Sequence, residues 1–136
     1  MNVEDIARQV QQWAAGERLV RRVYLFGSRA RGDHRSDSDI DLAVLCRMDP
    51  EILRQCGGDY ASARMFFWHD HQAPWLAQLA PRFSVPVDLQ VLDRDTWRVV
   101  RPSVKREGIR LVSQGGGLGR PFVWFRFRPL QRAKAN

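Results

Sequence analysis

This sequence lacks a disulfide framework, membrane-spanning runs and internal repeats. It holds only two cysteines, Cys46 and Cys56, in 136 residues. A domain of that length buries a core without cross-links, so the two read as reduced thiols of a cytoplasmic protein. No apolar run approaches the roughly 20 residues that a spanning helix needs. The first residues, Met1-Asn2-Val3-Glu4-Asp5, are acidic and carry no signal-peptide core, so the protein is expected to stay where it is made. Acid is missing from the last stretch. Residues 113–136 contain five of the 22 basic residues, Arg120, Arg126, Arg128, Arg132 and Lys134, and none of the 15 acidic ones. Residues 1–112 therefore carry 17 basic against 15 acidic residues and are close to balanced. The net charge of +7 belongs largely to the tail, which weighs against a nucleic-acid-binding body.

With 44% hydrophobic and 27% charged residues, the chain reads as one ordinary globular domain rather than a disordered one. Residues 3–20 are expected to form a helix, with Asn2 as its cap and Ile6, Val10 and Trp13 as its apolar stripe. Val23-Tyr24-Leu25-Phe26, stopped by Gly27, is a short buried strand, and Ile40 to Leu45 is a second one. Between them lies a polar loop whose start can form one helical turn capped by Ser28. Asp49-Pro50-Glu51 starts a helix, which Gly57-Gly58 breaks. Residues 61–80 are helical again, with a kink or restart at Pro74. Val85 to Leu92 is a third strand, Asp95 caps a further helix, and Ile109 to Val112 is a fourth, edge strand. The irregular order predicts an α+β fold: a small mixed or antiparallel sheet with helices packed on one face. Gly115-Gly116-Gly117 closes the body, giving a domain over 1–112 and a basic, aromatic extension over 113–136.

The second strand carries the chemistry. Asp39 and Asp41 are two apart, so their side chains share a face, while Ile40, Leu42 and Val44 face the core. Adjacent carboxylates repel, and a hard cation such as magnesium offsets that cost. Asp88 interrupts the apolar alternation of Val85, Val87, Leu89 and Val91. If the third strand neighbours the second, Asp88 lies beside the pair, and three carboxylates on one face can hold two metal ions. Gly27 lets a ligand approach the backbone, Ser28 adds a hydroxyl at the start of a helical turn, and Arg29 and Arg31 offer charge to a triphosphate.

Gly27-Ser28, ten residues, then Asp39-Ile40-Asp41 resembles the GS-x10-DxD signature of the nucleotidyltransferase superfamily related to DNA polymerase beta. The stretch LFGSRARGDHRSDSDIDLAVL is similar to its minimal nucleotidyltransferase branch, as are Asp88 in VDLQVL and the Glu107-Gly108 step before a final apolar strand. The resemblance implies the polymerase beta-like fold over residues 3–112. It implies that Asp39 and Asp41 ligate two magnesium ions, that Asp88 completes the site and helps align or deprotonate the acceptor, and that Gly27 and Ser28 hold the β- and γ-phosphates. It further implies ATP as donor, AMP as the group moved and pyrophosphate as product. Several members of the branch are antitoxins that place AMP on a tyrosine of a helical HEPN-domain toxin.

The expected protein is thus a protein adenylyltransferase of a type VII-like toxin–antitoxin pair. A body with no room for an acceptor domain needs a HEPN-type partner, or self-association, to complete its cleft. Two rivals remain: a module that neutralises its partner by docking, and nucleotidyl transfer to a small-molecule hydroxyl. His69-Asp70-His71 reads as a solvated helix face rather than a metal site, because helix positions i and i+2 do not share a face. Phe67, Trp68 and Trp75 read as core or partner-facing aromatics. The tail from Phe122 to Arg128 alternates partly between apolar and basic residues, which suits an edge strand, a partner or self contact or stacking on nucleic acid, beside the plainer reading of a loosely ordered extension past the domain.

Overall fold

The computed structural model describes residues 1–92 and 94–114. The tail readings over residues 115–136 lie outside that range. The first helix, α1, spans Val3–Ala14. Asn2 accepts a hydrogen bond from the Asp5 N–H while Asp5 accepts one from the Asn2 N–H, so each end of a capping box satisfies a donor the helix leaves open. The helix stops earlier than residue 20. The N–H groups of Gly16 and Glu17 bond back three residues, to Trp13 and Ala14, and that tightening ends it. The freed residues lengthen the first strand, β1, to Val20–Phe26.

After β1 come a single helical turn α2 (Gly27–Arg31), strand β2 (Ile40–Cys46), helices α3 (Pro50–Gln55) and α4 (Tyr60–Leu79), strand β3 (Val87–Leu92), helix α5 (Arg94–Glu107) and strand β4 (Ile109–Ser113). α4 runs unbroken through Pro74. α5 begins before Asp95, which therefore sits in its first turn rather than at its cap. The four strands form one sheet in the order β3-β2-β1-β4. β1 is antiparallel to both β2 and β4, whereas β2 and β3 are parallel, so the sheet is mixed and β4 is an edge strand.

Side chains alternate across this sheet and build two unequal clusters. Val23, Leu25, Ile40, Leu42, Val44, Leu89, Val91, Ile109 and Leu111 face the main core with α1, α3 and α4. Trp75 of α4 is 2% exposed and meets Trp13 of α1 edge-on, ring centroids 5.7 Å apart. The Trp13 indole N–H also donates to Gln78 Oε1 at 2.8 Å, which fixes the two helices against each other. The other face is not bare. Tyr24, Ala43 and Leu92 make a small apolar patch there, and α5 lies on it through Val104 and Trp97, with Trp97 stacked on Tyr24 at 5.0 Å. Helices thus occupy both faces, because those alternate positions carry apolar side chains at one end of the sheet and acid at the other.

The described body reaches Gln114, whose N–H donates to Arg21 O and whose side chain donates to Glu17 O and Val20 O. Among the described residues no helix is long and apolar enough to cross a membrane. Trp75→Ala should cost about 3–5 kcal/mol of stability in urea denaturation. Trp68→Ala, at a side chain 42% exposed on the same helix, should change it by under about 1 kcal/mol.

Candidate active site

The β1–β2 ladder determines what lies beside the first carboxylate. Phe26, the last residue of β1, pairs with Asp41. Gly27 follows with φ +73°, a conformation that favours glycine. A Cβ at Gly27 would strike Asp41 Oδ2 and lie 3.1 Å from Asp41 Cγ. The Asp41 carboxylate therefore rests against the backbone that opens α2, with no side chain between them. On the other side of β2, Asp88 of β3 is in register with Asp41. Asp39 stands just ahead of β2, two residues before Asp41 and on the same side by alternation.

These carboxylates feel one another. Burial, then the charges of Asp88 and Asp39, push the pKa of Asp41 above its ordinary value, and the nearby Arg31 guanidinium pulls it back. The donors are all hard oxygens, which suit magnesium. Among the described residues, no three acidic, histidine or cysteine side chains already close around one point. Magnesium is commonly held by one or two carboxylates together with waters and phosphate oxygens, so an acidic edge that leaves positions for substrate fits it.

α2 is a turn of five residues capped by Phe26, with Ser28 inside it rather than at its cap. Ser28 is half-buried beside Gly27. Arg31 is exposed, 3.3 Å from Asp33 Oδ2 and 3.7 Å from Glu107 Oε2, and remains a cation near Asp41. Solvent-exposed pairs of this kind hold weakly. Arg29 departs from expectation. It is 3% exposed, and its guanidinium donates to Ser38 O at 3.0 Å and Ser36 O at 3.2 Å. Its donors serve the loop that leads to Asp39, so we revise its assignment from triphosphate contact to loop support. Nothing in the sequence distinguishes it from Arg31, because the difference is one of burial.

His71 also departs from the solvated reading. Its ring packs between Phe67 and Trp75, at 4.4 Å and 5.0 Å, and its Nε2 lies 3.7 Å from Asp49 Oδ2. The segment from Gln55 to Ala63 forms the α3–α4 connection and the start of α4, with Gly57 and Gly58 at positive φ and Asp59 as the cap. A cavity of about 1120 Å³ lies away from the carboxylates. It lies at the far ends of β2 and β3, walled by Cys46, Leu92 and the first half of α4, where Met65, Phe66 and Trp68 are exposed.

Residues 8–115 match the family described as polymerase beta, nucleotidyltransferase. No curated protein sequence matches the chain. Among solved structures, a chain of a toxin–antitoxin complex with AMP-PNP aligns with TM-score 0.55 and 22% identity, covering 79% of this chain and 73% of that one. A protein of Sulfolobus solfataricus assigned to the nucleotidyltransferases aligns with TM-score 0.47 and 24% identity, covering 90% of this chain and 86% of that one.

Gly27→Ala should cost roughly 1–3 kcal/mol of stability in urea denaturation, through its positive φ and the collision with Asp41. Part of that loss should return in the Gly27→Ala/Asp41→Gly double variant, and the coupling between the two is the quantity to measure. A carboxylate whose folded pKa is raised favours the fold while protonated and loses that contribution as pH rises through the folded pKa. Asp41→Asn should therefore melt above the magnesium-free wild type at pH 7, by a few degrees, with the gap shrinking as pH falls below the raised Asp41 value. Magnesium should raise the melting temperature of the wild type more than that of Asp41→Asn.

Proposed function

Because this chain belongs to the polymerase beta nucleotidyltransferase family, we propose that it moves AMP from ATP to an acceptor hydroxyl, with Asp39, Asp41 and Asp88 as the catalytic carboxylates. The observation that carries this reading is the in-register pair Asp41–Asp88, with Asp41 packed directly on the backbone of Gly27. That arrangement sets acid directly beside the turn that opens α2.

In this reading Gly27 and Ser28 hold the β- and γ-phosphates through backbone N–H groups and the Ser28 hydroxyl. Arg31 leans on the same phosphates as a point of positive charge. Asp39, Asp41 and Asp88 would hold magnesium, two ions when the donor is bound, which neutralise the triphosphate and the departing pyrophosphate. Asp88, exposed on β3, accepts the proton of the acceptor hydroxyl. The acceptor oxygen bonds to the α-phosphorus as the bond from that phosphorus to the bridging oxygen breaks, and pyrophosphate leaves with the electron pair. Asp41 then has a double use: its resting repulsion with Asp39 and Asp88 is lowered by the cations that the donor nucleotide brings.

The acceptor we propose is a tyrosine of a helical HEPN-type toxin, which makes this chain the antitoxin of a type VII-like pair. The likeness to a toxin–antitoxin complex with AMP-PNP supports a protein partner and an adenine nucleotide. So does the groove beside α4, where Met65, Phe66 and Trp68 are 74%, 56% and 42% exposed. Exposed apolar side chains gathered in one place mark contact surfaces. The same groove supports a second reading, in which docking alone neutralises the partner. The division into a nucleotidyltransferase domain and a basic, aromatic extension stays part of this proposal, with Ser113 and Gln114 counted in the domain.

The test is label transfer. The chain is incubated with the product of its neighbouring gene, magnesium and α-labelled ATP, beside an Asp39→Ala/Asp41→Ala control. We expect label on a tyrosine of the partner and a loss of at least about a thousandfold in the control, the scale on which transition-state charge stabilisation fails. A stable complex without label under any of the four nucleotides would leave docking as the function.

A further inference from the structure

We infer that Arg29 is a positioning residue that holds Asp39, the carboxylate outside the strand ladder, in place beside the backbone turn that receives phosphate. The inference rests on the nucleotidyltransferase reading and adds a residue whose side chain lies away from the reactants.

The geometry supports this in three ways. First, Arg29 belongs to α2, two residues after Gly27, so its Cα moves with the phosphate turn. Second, its guanidinium donates through Nε to Ser38 O and through Nη2 to Ser36 O, carbonyls one and three residues before Asp39. A planar fork that binds two carbonyls of one loop fixes that loop in position and in angle. Third, the side chain leads away from the acidic face. With Met1, Ser84 and Val85 it walls a cavity of about 300 Å³ on the α1 side of the sheet. There it also borders the segment before β3, where Pro86 O accepts the N–H of Ile40. The approach to Asp39 and the approach to Asp88 therefore meet beside this one guanidinium.

The start of the loop is tied to α2, with the Gly32 and Asp33 N–H groups donating to Ser28 O and Asp33 meeting Arg31, but beyond Asp33 the remaining bonds are local. The Arg35 N–H donates to Ser38 Oγ, and the Ser38 N–H donates to Arg35 O, which closes a local turn. Those bonds shape the loop without fixing where it sits. Residues 32–37 are all exposed, so packing does not fix it either. Among the described residues no carboxylate pairs with the Arg29 guanidinium. Burying a cation is costly, and here the loop carbonyls are what offset the cost. The cation and the loop thus depend on each other. Without the fork, two carbonyls lose their donors, Asp39 is no longer held at a fixed distance from Gly27, and a metal must order the loop itself as it binds.

The experiment is a titration with manganese, followed by electron paramagnetic resonance, in the presence of a saturating ATP analogue whose α–β bridge does not cleave. The proteins are the wild type, Asp39→Ala/Asp41→Ala, Arg29→Met and Arg29→Lys, all held well below their melting temperatures. We expect the wild type to bind manganese, the double variant to lose it, and Arg29→Met to bind roughly tenfold to a hundredfold more weakly, as when a residue supporting a metal ligand is removed. Analogue affinity without metal should stay at the wild-type value in Arg29→Met, because Gly27 and Ser28 are untouched. Arg29→Lys keeps a buried charge but cannot span two carbonyls, so it should also be weakened; it decides the matter if Arg29→Met does not fold. Wild-type manganese affinity in a folded Arg29 variant overturns the inference, whatever its melting temperature. A wild type that binds no manganese overturns the nucleotidyltransferase reading instead.

Discussion

The site depends on a steric fact: Asp41 and Gly27 occupy the same place from two directions. The antiparallel pairing of Phe26 with Asp41 sets the end of β1 beside the start of β2, and only a residue without a Cβ fits where the chain then turns. The neighbouring acidic and basic side chains are placed from that point. α2 starts there, Asp88 arrives in register on the far side of Asp41, and Arg31 comes close enough to draw down a pKa that burial and two neighbouring carboxylates have raised. A bulkier residue at position 27 would have to push the carboxylate away or open the hairpin.

The sheet divides its work between faces. The face toward α1, α3 and α4 is continuous hydrocarbon, closed by the Trp13–Trp75 contact, and supplies the rigidity. The other face is apolar only where α5 covers Tyr24, Ala43 and Leu92. Along β2 that face changes within three residues from Ala43, nearly fully buried, to Asp41, partly open, and then to Asp39, exposed. This gradient along one strand joins a scaffold that does not yield to an open, acidic surface.

Much of this arrangement is legible in the sequence, and the unread parts share a cause. Asp88 stands out because it breaks a strict alternation, and alternation is a local property of a strand. Asp39 and Asp41 share a face for the same reason. Gly27 announces a turn. The end of α1 at Ala14 is not legible, since Ala15 and Gly16 tolerate helix and the tightened turn that ends it is fixed by where β1 must begin. Placing α5 on the second face requires seeing Tyr24, Ala43 and Leu92 as one patch, yet they come from three strands whose order the sequence does not state. Arg29 and Arg31 look alike on paper. Their separation into a buried loop clamp and an exposed cation is a matter of which way a one-turn helix rolls against the sheet, and no residue pattern encodes that directly.

The parallel pairing of β2 with β3 bears on how the site comes into being. Asp39 and Asp41 belong to a hairpin with Gly27, a neighbourhood that a short chain closes cheaply. Asp88 is separated from its partner Asp41 by residues 42–87, including both α3 and α4, and a parallel strand cannot be reached by a tight turn. The entropic cost of closing that long excursion falls on the third carboxylate alone. On a ribosome, where the chain emerges from its N-terminus, Asp39, Asp41 and the Gly27 turn can meet while Asp88 is still unmade. Asp88 thus joins the acid pair late, and the β3 wall of the groove beside α4 is completed with it.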